Sequence, residues 1–186
     1  MLIKSTIRAV IALVLLAGLD VSQPAAGAER ADCGQACPSD NVSIYVPGGW
    51  MHDATAERRL RLTALVREGQ RFTSTDAFIL ATVLPNPDKR PIADYIAQNQ
   101  AAFRARTSDL KIAPLADVAR SGGKEGFRVF QYEKPSARTQ RFERIATTTD
   151  IDKDGKSVLV TISLTADSLK SLEAAEQSYL EILRDY

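Results

Sequence analysis

The sequence predicts an α+β domain: a mostly antiparallel β-sheet with helices packed on both faces, an α/β/α sandwich. Three observations predict it. Strand-like runs follow one another with short connections, which antiparallel neighbours allow and parallel ones do not. The run 77-AFILATVL-84 is apolar at nearly every position, so something must cover the sheet on each side. Two segments, one mid-chain and one at the C-terminal end, carry helical spacing instead, and one helix is expected on each face.

The elements follow in order. The stretch 42-VSIYVPGGW-50 reads as a short strand ended by Pro47 and two glycines, with Trp50 returning into apolar surroundings as a structural residue. In 59-RLRLTALV-66, Leu60, Leu62, Ala64 and Val66 alternate with Arg59, Arg61 and Thr63, the period-two pattern of a half-buried strand. The cluster 58-RRLR-61 then reads as the wet face of that strand. After the apolar run at 77–84, prolines 85, 87 and 91 punctuate the exit. Residues 92-IADYIAQNQAAFRAR-106 predict a helix with Ile92, Tyr95, Ile96 and Phe103 on one face, interrupted by Asn99.

A short extended segment follows at 111–115, and 122-GGKEG-126 marks a turn. Strands are expected at 127-FRVFQYE-133, 141-RFERIATTT-149 and 158-VLVTISLT-165, with Arg141 and Arg144 as ordinary solvated charges. A last helix starts near Asp167 or Ser168, both good N-caps, with Leu169, Leu172, Tyr179, Leu180 and Leu183 as its apolar stripe.

The first residues belong to another category. Lys4 and Arg8 precede the apolar run 9-AVIALVLLAGL-19, and 26-AGA-28 has the small-x-small form of a cleavage site. Residues 1–28 therefore read as a secretory signal peptide, too short in its apolar part for a membrane span of ~20 residues. Residues 29–40 are a polar arm holding both cysteines, and 41–186 form a single α/β/α domain. Without the leader the chain has 22 basic and 22 acidic residues. A nucleic-acid binder would be distinctly basic. The expectation is a periplasmic or secreted protein without stable membrane insertion or a nucleic-acid partner.

The order of elements resembles a known family. A strand ending in 47-PGGW-50 opens the domain and a central helix follows paired strands. Meandering strands come next, and 158-VLVTISLTADSLKSLEAAEQSYLEILRDY-186 closes the chain as a strand–helix pair. This resembles the PsbP-like α/β/α sandwich family of PsbP- and DcrB-type exported proteins, over roughly residues 42–186. The resemblance implies a binding or assembly module of the bacterial cell envelope, not an enzyme, and carries over only Trp50, as a structural position. It implies an envelope protein or complex as partner and supplies no cofactor.

Candidate chemistry is sparse. Cys33 and Cys37 form C-x3-C followed by Pro38, which in an oxidising compartment reads as a disulfide. The alternative is a periplasmic metal-handling or thiol-redox accessory protein. Soft thiolates suit Cu(I), and Cys33, Cys37, His52 and Met51 could gather around one ion if the arm folded back. His52 is the sole histidine, hence the sole imidazole base, and the chain has neither a G-x-S-x-G elbow nor a P-loop. In 150-DIDKDGKS-157, Asp150, Asp152 and Asp154 match positions 1, 3 and 5 of a calcium loop, with Gly155 at position 6. Position 12 is Thr161, which lacks the bidentate carboxylate, so a hairpin tip centred on Asp154-Gly155 is the stronger reading.

Overall fold

Seven strands and three helices make up the described part of the chain, residues 42–107, 109–134 and 141–186 of a computed structural model. In chain order they are β1 (Trp50–His52), α1 (Ala54–Leu60), β2 (Thr63–Arg67), β3 (Ala77–Pro85), α2 (Ile92–Arg106), β4 (Lys111–Pro114), β5 (Arg128–Glu133), β6 (Phe142–Ile151), β7 (Ser157–Ala166) and α3 (Leu169–Asp185). The strands form one sheet in the order β1-β2-β3-β7-β6-β5-β4, and every neighbouring pair is antiparallel. The fold class is therefore the α+β sandwich that the sequence predicts. Residues 1–28, which the sequence reading takes as a signal peptide, and the cysteine arm at 29–40 lie outside the described residues.

Alternation along the strands decides which helix covers which face. Ile79, Ala81 and Val83 of β3, with Val158, Val160, Ile162 and Leu164 of β7, share one core with Leu172, Ala175, Tyr179, Ile182 and Leu183 of α3. The intervening positions Phe78 and Leu80 point the other way, into a smaller cluster with Ala56 of α1, Ala64 and Val66. A third cluster, also on that second face, joins Phe103 of α2 to Tyr132 and Ile145. So α3 covers one face, and α1 and α2 cover the other side by side. The doubly apolar β3 is explained by α3 on one side and α1 on the other.

On the second face, between the two small clusters, runs a polar seam. Thr161, Ser163 and Thr165 of β7 stand opposite Thr147, Ile145 and Glu143 of β6. Glu143 is fully buried and accepts a hydrogen bond from the Thr165 hydroxyl at 3.0 Å, while its second oxygen has no partner. The opposite face of β7 is entirely apolar from Val158 to Ala166.

Four details differ from the sequence reading. Residues 42–46 alternate in burial, with Ile44 in the core, but form no ladder; the first strand starts at Trp50. The predicted strand at 59–66 begins inside a helix: α1 ends at Leu60, Arg61 caps it in the left-handed region (φ 56°), and β2 begins at Thr63. Asp53 starts that helix by accepting the backbone N–H groups of Thr55 and Ala56, and Ala-Thr-Ala-Glu-Arg-Arg-Leu sustains it because it is mostly strong helix formers. On α2 only Phe103 is fully buried, whereas Ile92, Tyr95 and Ile96 are half-buried. On α3, Leu169 is 46% exposed and Ile182 takes the core position instead.

Candidate functional site

One cleft gathers several of the residues that carry chemistry. It has a volume of about 510 Å³ and is lined by Met51, His52, Asp53, Thr55, Ala56 and Arg59 on one side and by residues Gly69–Thr73 on the other. The two walls come from separate segments. Pairing of β1 with β2, Trp50 opposite Arg67 and His52 opposite Leu65, sets the register that brings them together. Gly69 turns the chain out of β2 with φ 75°, a conformation that L side chains resist.

Asp53 is the joint of the cleft. One carboxylate oxygen accepts N–H groups of Thr55 (3.0 Å) and Ala56 (2.9 Å), capping α1, and the other accepts the N–H of Phe72 at 2.8 Å. These bonds, that of Phe72 foremost, hold its carboxyl below the usual range, with Arg71 adding a smaller attraction. Asp53 thus ties the start of α1 to the loop after β2, and its oxygens are spent doing so.

Glu57 plays a parallel part. Its carboxylate meets His52 Nδ1 at 2.6 Å and accepts the N–H of Ala64 at 3.2 Å. A carboxylate on one ring nitrogen orients an imidazole and leaves Nε2 for a ligand or a proton. Arg59 lies over the Phe72 ring, its guanidinium carbon 5.9 Å from the centroid. That contact holds the charge at the cleft wall. Phe72 in turn packs on Phe78 with centroids 4.6 Å apart, so the loop wall is anchored in the core beneath α1.

The structure places the sequence-predicted residues as follows. Trp50 is buried, 3% exposed, with the Arg67 guanidinium 4.7 Å from its ring centroid. Met51 and His52 both line the cleft, and Met51 is exposed. Cys33 and Cys37 lie outside the described residues. Among the described residues no three His, Cys, Asp or Glu side chains converge as a metal site. Two of the calcium candidates are engaged separately. Asp150 accepts from buried Arg120 at 2.5 Å, while Asp152 accepts the N–H groups of Asp154 and Lys156 at 2.9 and 2.8 Å and so caps its own turn. The Asp152 carbonyl accepts from Gly155 (φ 75°), which makes Lys153–Gly155 a three-residue hairpin loop with glycine at the left-handed position.

Sequence reasoning missed Arg59, Arg71, Asp53 and Glu57 as a group. The readable signal was Asp53 followed by a run of helix formers, a helix start that the alternation of Leu60 to Val66 masked. Arg59 was assigned with 58-RRLR-61 to the wet face of a strand and belongs instead to α1, while Arg71, in the loop after β2, was not singled out.

No protein-family model matches the sequence, and no curated protein sequence matches it. Among solved structures the fold is similar to that of LpqN, involved in cell envelope biogenesis of Mycobacterium tuberculosis. The TM-score is 0.53 over 80% of this chain and 87% of that one, at 12% sequence identity. A likeness at that identity is one of fold, and it extends over most of both chains.

Proposed function

We propose that this chain is an exported, non-enzymatic binding module of the cell envelope, built on a PsbP-like sandwich, with the cleft between α1 and residues 69–73 as its partner-facing surface. The observation that carries the reading is the fold similarity to LpqN, a protein of cell envelope biogenesis, over most of both chains. The leader-like residues 1–28 support export. Among the described residues no helix is long and apolar enough to cross a membrane. The cleft supports binding because its one lining carboxylate, Asp53, is engaged internally while Met51, Arg59 and Arg71, which also line it, are exposed.

A photo-crosslinking amino acid placed at Gln70 tests this in living cells, with Glu173 on the exposed side of α3 as the control position. The expected result is export of the full chain and a discrete adduct to an envelope component from Gln70 alone. Retention in the cytoplasm, or equal adducts from both positions, overturns the proposal.

A further inference from the structure

Charge is distributed unevenly in this molecule. The whole chain has 24 basic and 23 acidic residues, yet residues 51–73 carry five arginines against three acids. Two of those three acids are consumed internally: Asp53, in the cleft lining, by three backbone N–H groups, and Glu57, behind it, by His52 and the Ala64 N–H. The two guanidiniums that line the cleft are not consumed. Arg59 and Arg71 form no salt bridge among the described residues, and Arg71 supports Asp53 only as a nearby charge. The Phe72 ring and the Ala56 and Met51 side chains supply apolar wall between these cations.

We propose that the cleft binds an oxyanion, a phosphate or carboxylate group on a small molecule whose remainder lies along Phe72 and Met51. The proposal rests on the reading of this cleft as the binding surface and adds the chemistry of what enters it. A guanidinium presents a planar fork of N–H donors that matches two oxygens of one anion. Two forks facing a common space of about 510 Å³ leave room for a single headgroup and a short apolar continuation.

Amide chemical shifts of the purified protein, titrated with octyl phosphate, inorganic phosphate and octyl glucoside, test the proposal. Octyl phosphate is expected to shift the Gly69, Gln70 and Thr73 amides to saturation, and octyl glucoside, with the same tail and a neutral head, to leave them unmoved. The pair Arg59→Gln and Arg71→Gln should weaken the octyl phosphate response by about 10-fold or more. The pair Arg58→Gln and Arg61→Gln removes the same charge outside the cleft lining and should change it less than about 2-fold.

If inorganic phosphate saturates the same amides, a free anion suffices. If only the octyl ester does, the ligand carries an apolar tail; both outcomes uphold the oxyanion site. Absence of saturation by either phosphate, an equal response to octyl glucoside, or an equal loss in the two double variants overturns it. A crosslink from Gln70 that persists when no oxyanion binds would sink this inference and leave the partner-binding proposal standing.

Discussion

Glu143 combines full burial with a missing hydrogen-bond partner, and its titration is the residue-scale property with the largest consequence. Burial pushes its carboxyl up to about 8, against the pull of the Thr165 hydroxyl and the Arg141 charge. The unfolded chain releases that proton near 4.5 and the folded chain holds it until about 8. Between these values the folded state binds more protons, so stability falls as pH rises, by at most about 1.4 kcal/mol per unit, and levels off above about 8. Urea denaturation at pH 5 and pH 8.5 should show that loss in the wild type. Glu143→Gln, isosteric and neutral, should remove most of this difference. An unchanged difference in the variant would assign the pH dependence to other groups. None of this was legible in 141-RFERIATTT-149, because Glu143 stands at a position whose alternation is shared with the exposed side of any half-buried strand.

At the scale of the element, legibility followed period. The helix at 92–106, the strands β5 to β7 and the Ser168 cap of α3 were readable because each has one dominant spacing and clear punctuation. The α1–β2 unit was not, since Leu60 satisfies both a helical and an alternating pattern and only the Asp53 cap decides between them. The β6–β7 hairpin shows the same limit on the functional side. Its aspartates spell the first half of a calcium loop, but Arg120, thirty positions before Asp150, claims that carboxylate. Arg120 is 6% exposed and also stacks beside Phe127 and Tyr186, so the pairing is part of the core's edge. Ca²⁺ at ~1 mM is expected to leave the melting temperature unmoved. Asp152→Ala, by contrast, should destabilise by about 1 kcal/mol through loss of the two N–H groups its carboxylate caps. A calcium-dependent rise of several degrees, lost in that variant, would restore the metal reading.

For the whole molecule, fold class was readable and the site was not. The sandwich follows from composition and period along single segments, which is the information a sequence displays directly. The cleft is assembled from residues 51–59 and 69–73, and only the strand register, His52 opposite Leu65, makes them face each other. Overall charge, near balance, spoke only against a nucleic-acid partner, and five arginines concentrated in one stretch vanish in such a total. The similarity to LpqN is one of fold and agrees with the expected architecture over 80% of this chain.

The polar seam along β7 has a dynamic consequence. The α3 side is one continuous apolar body, so opening any part of it exposes the rest. On the opposite side the seam separates two small bodies, and α2 is fastened chiefly through Phe103 against Tyr132 and Ile145. Detaching α2 uncovers little apolar surface and leaves the other layer whole. Native-state amide exchange should therefore resolve two opening units. The inner amides of α2 should exchange at a free energy well below that of β7 and α3, while the latter two exchange together, at the global limit. One shared protection level for all three would mean that the seam transmits cooperativity across the sheet.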